Sequence, residues 1–106
     1  MTRAGSGAAA EGARTQAAPR CFVYILGSRR GRDCRTYVGW TLDLERRLAQ
    51  HNNGSGARST RGRDWLLLYA ECCATRGQAM SREWHLKRDR GFRKQLATAL
   101  RAEAAE

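Results

Sequence analysis

No run in this 106-residue chain approaches the 18 or more consecutive apolar residues of a membrane-spanning helix. An integral helical membrane protein is therefore excluded. The stretch Met1–Pro19 lacks the apolar centre of a secretory signal; being Arg-bearing and poor in acids, it leaves a mitochondrial-type transit segment as the weaker alternative. The four cysteines, Cys21, Cys34, Cys72 and Cys73, form no Cys-x-x-Cys pair, and His51 and His85 stand at no zinc-finger spacing. A structural zinc site is not expected. Nor is a disulfide framework without a secretory signal, with Cys21–Cys34 the one pairing left open. All four cysteines read as small buried apolar residues in a reducing cytoplasm. Lysine is scarce. Lys87 and Lys94 are the only two, so arginine supplies 18 of the 20 basic residues, against 10 acidic ones.

The resulting net charge of +10 and pI near 10.7 favour a polyanionic partner, bound through phosphate contacts that release counterions. Arginine adds forked, bidentate phosphate contacts that lysine does not make. Charge by itself does not identify the partner. The length fits one domain, which buries only about 60–65% of its unfolded surface and so needs an economical core.

Residues 1–19 are Ala, Gly and Ser with scattered charge and no apolar period, and are expected to be a disordered tail. The folded domain is expected over 20–101, followed by a short tail at 102–106. Cys21-Phe22-Val23-Tyr24-Ile25-Leu26 reads as a strand apolar on both faces, hence central in its sheet. A charged loop over Arg29–Asp33 and a strand over Thr36–Trp40 complete an antiparallel hairpin. Thr41 is the expected cap of a helix running to about Asn52 and stopped at Asn53-Gly54. A flexible loop over 53–64 precedes a third strand from Trp65 to Cys72. Thr75-Arg76-Gly77-Gln78 matches a capping box, opening a second helix to about Arg88, with a third over Arg90–Arg101. The order β-β-α-β-α-α predicts an α+β domain: a small three-stranded antiparallel sheet flanked by helices.

Helical periodicity distinguishes residues that composition treats alike. Leu44, Arg47, Leu48 and His51 share one face, with Arg46 opposite on the solvent side. Singly, Arg47 reads as a snorkelling side chain and His51 as a hydrogen-bonded core histidine. One turn apart and both facing the sheet, they suggest a site. Glu83 falls between Ala79, Met80 and Leu86 in an apolar sector, where a carboxylate needs a cation: an arginine partner or a metal. Tyr24 and Tyr37 lie in strands, where aromatics usually pack. Gly39 interrupts its strand, marking either a close approach or a bulge. Trp65 and Trp84 read as core.

These residues resemble the GIY-YIG endonuclease domain. The likeness covers Cys21 to Arg93 and rests on Phe22-Val23-Tyr24, Tyr37-Val38-Gly39, Arg47, His51 and Glu83, with eight residues from Gly39 to Arg47 and four from Arg47 to His51. The stretch TYVGWTLDLERRLAQHNNGSGA is similar to small stand-alone bacterial members. REWHLKR resembles the catalytic subunit of the eukaryotic branched-DNA resolvase. Phe22 replaces the first glycine of the family name, and the asparagine that some members carry after the glutamate has no counterpart. The resemblance implies Mg²⁺- or Mn²⁺-dependent hydrolysis of DNA phosphodiesters, with double-stranded or branched DNA as substrate. It implies Glu83 as metal ligand, Arg47 as the charge stabiliser and Tyr24 as general base or relay. Tyr37 would position water or phosphate, and His51 would orient a tyrosine hydroxyl. Gly39 is carried over as structural. Arg58, Arg61 and Arg63, with Thr60, are the expected DNA-backbone contacts. With no second targeting module, specificity is left to this domain or to a protein partner. Two rivals compete: a nucleic-acid-binding module of the same fold that does not cut, and a basic RNA- or ribosome-associated protein, which explains the charge but not the constellation.

Overall fold

The computed structural model describes residues 20–105, so the expected tail at 1–19 lies outside the described residues. The apolar run at Cys21 continues into charged sequence: β1 spans Cys21–Arg30 and β2 spans Asp33–Thr41. Gly31, at φ 57°, takes the left-handed conformation that a tight hairpin demands and glycine adopts without steric cost. The ladder therefore closes from Phe22↔Thr41 to Arg30↔Asp33. What composition presents as a charged loop is a short turn between paired residues. On the other side, β3 (Leu66–Cys73) pairs antiparallel with β1, with an irregularity in register between Ile25 and Leu26. The strand order β2-β1-β3 places the two-sidedly apolar strand in the centre, as its sequence predicts.

Helix α1 covers Leu44–Asn53. Its cap is Asp43, whose carboxylate accepts the Arg46 N–H at 3.1 Å, rather than Thr41. Thr41 is still paired in β2, and its hydroxyl accepts the Asp43 N–H at 3.2 Å. Gly54, at φ 86°, stops the helix where expected. Helix α2 covers Arg76–Arg88, with the Thr75 hydroxyl accepting the Gln78 N–H at 3.1 Å. Gln78 reaches back to the Ala74 N–H at 2.9 Å, one residue before the usual partner. Helix α3 covers Arg90–Ala105, so residues 102–105 continue the helix past the Arg101 end that the sequence predicts. The Ala-rich end favours that continuation.

Alternation along β1 divides the molecule into two layers. Cys21, Val23 and Ile25 pack with Ala79 and Leu86 of α2 and with Phe92 and Leu96 of α3. Tyr24 and Leu26 face the other way, against Trp65 and the α1 residues Leu44 and Leu48. Cys21 and Cys73 are buried, but Cys34 is half-buried and Cys72, turned to the opposite face from Cys73, is exposed; all four are free thiols. Trp65 is core, as expected. Trp84 is not: it is 53% exposed, with the Arg88 guanidinium 3.7 Å over its ring. The buried strip of α2 is only Ala79 and Leu86, too narrow to cover Trp84 or Met80. No helix among the described residues is long and apolar enough to cross a membrane.

Candidate active site

Tyr24 points from β1 toward α1, and its hydroxyl lies 2.9 Å from His51 Nε2. His51 is fully buried on the inward face of α1, where the helical period places it. Its other nitrogen, Nδ1, lies 2.8 Å from the Thr60 hydroxyl. Tyr37 completes an aromatic cluster, its ring 4.8 Å from the imidazole and 6.4 Å from Tyr24. Gly39 is the direct strand partner of Tyr24, and a Cβ there would stand 2.6 Å from the phenolic oxygen. Of the two readings open to Gly39, the structure supports close approach.

The electrostatics follow from burial. The Tyr24 phenol is pushed above its usual range by desolvation, which Arg47 beside it partly offsets. Burial, and then the same Arg47 charge, push His51 below its ordinary value, favouring the neutral ring. Arg47 is half-buried, and its Nη1 donates to Gln50 Oε1 at 2.9 Å. It lines an open cleft of about 390 Å³ together with Trp40, Asp43, Arg46 and Gln50. Arg46 thus reaches the same cleft from the exposed side of α1.

Glu83 lies in the α2 layer, close enough for its charge to act on the Tyr24 phenol. Its side chain is 24% exposed, and the ion pair it makes is with Lys87 at 3.4 Å, not with an arginine. The arginine pair belongs to Glu71, which takes the Arg82 fork at 2.7 and 2.9 Å and the Tyr69 hydroxyl at 2.6 Å. That clamp fixes α2 against β3 one residue before Glu83. Among the described residues no three or more His, Cys, Asp or Glu side chains group as a metal cage. A partly open carboxylate beside an exposed lysine fits the donor chemistry of Mg²⁺, which keeps several waters and takes one or two carboxylates plus substrate phosphates.

The loop residues separate. Arg58 and Arg61 are exposed. Arg63 is not free for a backbone contact: its side chain is 7% exposed and donates to Ser28 Oγ and to Asp33, both at 3.0 Å. Thr60, also expected on the DNA, is fully buried with its hydroxyl engaged at His51. A 3₁₀ turn, Arg58–Thr60, carries it inward. Three supporting contacts are not foreseen from the sequence. Asn52 accepts the Trp65 N–H at 2.6 Å and donates to the Trp65 carbonyl at 3.1 Å. The Trp65 indole donates to the Thr60 carbonyl at 2.8 Å. Gly56 lets the loop close over the imidazole, since a Cβ there would stand 2.6 Å from Nδ1. In a loop already rich in glycine, nothing in one sequence singles Gly56 out.

A family model, the GIY-YIG catalytic domain, matches residues 20–95. A UPF0213 protein of Clostridium perfringens is 44% identical over 68 residues, covering 63% of this chain and 70% of that one. A UPF0213 protein of Haloquadratum walsbyi is 45% identical over 67 residues, covering 62% and 72% respectively. The solution NMR structure of a UPF0213 protein from Bacillus halodurans is 33% identical, spans 76% of this chain and 84% of that chain, and superimposes with a TM-score of 0.43.

Proposed function

The chain belongs to the GIY-YIG catalytic-domain family, a family of nucleases, and from that premise we propose that it is a metal-dependent endonuclease hydrolysing DNA phosphodiester bonds, with a preference for branched or damaged DNA. The observation that carries this reading is the Tyr24–His51 contact beside Arg47. A buried phenol raised above its usual range does not ionise unaided. It relays a proton: Tyr24 oxygen takes one from the attacking water as its own passes to His51 Nε2. The imidazole ends protonated, the phenol unchanged, and the new P–O bond forms as the opposite one breaks. Arg47, already lining the open cleft, meets the charge that builds on the phosphoryl oxygens, where a fixed fork donor is worth most. Tyr37 walls the attack site. Glu83 would hold a divalent cation, Mg²⁺ or Mn²⁺, which when bound neutralises phosphate charge and supports the leaving oxygen. Arg58 and Arg61 are the loop cations left to position the DNA backbone.

The test is a cleavage assay of the full chain and Glu83→Ala on duplex, flap, four-way-junction and single-stranded DNA, with Mg²⁺, Mn²⁺ or EDTA. The expected result is metal-dependent cutting by the wild type alone, fastest on a branched substrate. Tight DNA binding by both proteins with no cutting under any condition would replace this reading with a non-catalytic binding module.

A further inference from the structure

Thr60 carries one hydroxyl proton, and two acceptors lie within its reach: the Ala57 carbonyl and, in one tautomer, His51 Nδ1. The Thr60 hydroxyl donates to the Ala57 carbonyl at 2.9 Å, and a carbonyl only accepts. The lone pairs of the same oxygen are what remain for His51 Nδ1, 2.8 Å away. Nδ1 must then carry the ring hydrogen and donate it. In a neutral imidazole the other nitrogen is bare, and it lies 2.9 Å from the Tyr24 hydroxyl.

We propose that Thr60 is a positioning residue for the nuclease reaction: its hydroxyl holds His51 in the Nδ1–H tautomer, so that the Nε2 lone pair faces the Tyr24 proton. The inference rests on the nuclease reading for its consequence in rate, but the tautomer itself stands on the hydrogen bonds alone. The opposite tautomer is poorly served. It would turn the Thr60 hydroxyl away from Ala57 and aim Nε2–H at the Tyr24 oxygen. The phenol would then need another acceptor in a site where Tyr24 is only 2% exposed and Arg47 is cationic.

Thr60 is itself held from several sides. Its N–H donates to Ala57 at 3.1 Å, closing the 3₁₀ turn, and its carbonyl accepts the Trp65 indole at 2.8 Å. Gly56 brings the loop backbone against Nδ1. The loop between α1 and β3 therefore serves the chemistry from beneath, setting a proton's address rather than touching DNA at this residue.

The experiment measures ring-nitrogen correlations by NMR in the full chain labelled with ¹⁵N-histidine, using His85→Gln to leave His51 as the one signal. Wild type and Thr60→Ser are expected to show hydrogen on Nδ1, and Thr60→Val to shift toward Nε2–H. In the cleavage assay Thr60→Val should lose roughly 10- to 100-fold in kcat, by analogy with outer partners that orient metal-bound histidines, with KM unchanged. Thr60→Ser should stay close to wild type. A wild-type Nε2–H tautomer overturns the proposal outright, whatever the variants do. So does a Thr60→Val protein that keeps Nδ1–H, or a Thr60→Ser protein as slow as Thr60→Val, which would assign the effect to packing of the methyl group. If the wild type cuts no DNA, the nuclease reading fails and the spectra alone decide the tautomer.

Discussion

Tyr24 and Gly39 face one another across the β1–β2 ladder, with the phenol lying over the glycine so closely that a side-chain carbon would stand 2.6 Å from its oxygen and 2.8 Å from Cζ. The glycine after Tyr37-Val38 is therefore there for the tyrosine on the next strand, not for its own backbone.

Gly39→Ala should displace the Tyr24 hydroxyl from His51, because the ring, 2% exposed and set among Leu26 and Trp65, has little space to retreat. A misplacement near 1 Å at a reacting group costs on the order of 100-fold. Overpacking adds about 1–3 kcal/mol of destabilisation. Cleavage kinetics and thermal unfolding should show the rate falling far more than the stability. An unchanged rate would remove Tyr24 from the reaction.

Asn52→Ala should cost about 1–3 kcal/mol, since it strips both backbone groups of Trp65 of their side-chain partner at the edge of the core. Urea unfolding would measure it. Cleavage should fall too, because the Trp65 indole holds the Thr60 carbonyl. Full activity with reduced stability would show that this latch and the imidazole are independent.

Acid should weaken the protein through His51. Burial and Arg47 lower its pKa in the folded state, so as the pH falls the unfolded chain takes up this proton first. The stabilisation is complete above the ordinary histidine value near 6.5 and is lost as pH falls through the lower folded value. Urea midpoints should decline across that window more steeply in wild type than in His51→Gln. Cleavage should decline there as well, because a protonated ring has no lone pair for Tyr24. Parallel declines in both proteins would place the titrating group elsewhere.

Arg47→Ala should lower kcat by roughly 10²–10³, the cost of removing a fixed donor to a developing charge. Arg46→Ala, in the same cleft but exposed, should act mainly on KM and by less than about tenfold, as expected for a contact that positions rather than stabilises charge. Glu83→Ala removes only a helical ion pair with Lys87, worth about 0.3–0.5 kcal/mol, and should abolish cleavage with little loss of stability. EDTA should do the same to the wild type. Equal losses at Arg46 and Arg47 would mean that the two do not differ in function as their faces of α1 imply.

The residues that were legible in the sequence are those whose surroundings repeat along the chain. Leu44, Arg47, Leu48 and His51 follow the helical period onto one face, and the burial of His51 and exposure of Arg46 follow from it. The two-sided apolar run at Cys21 marks the central strand, and Thr75 and Gly54 end their helices for local reasons. The misread residues depend on what crosses from elsewhere. Asp43 outcompetes Thr41 because the ladder with Phe22 still holds Thr41. Thr60 and Arg63 look like exposed DNA-backbone contacts until β1 supplies Ser28, β2 Asp33 and α1 His51. Trp84 looks like core until α2 proves to bury only Ala79 and Leu86. The order of elements is local information, whereas the partners of polar side chains in a long loop are not.

β1 is a partition wall as well as a strand. Tyr24 and His51 stand on its α1 side, whereas Glu83 rides on α2, whose buried residues pack on the reverse side with α3. Folded proteins open in cooperative parts of unequal stability. An excursion that lifts α2 and α3 from the sheet would withdraw Glu83, whereas the Tyr24–His51 contact is made between β1 and α1. In the proposed nuclease, such an opening would cost the cation's carboxylate before the rest of the site is lost.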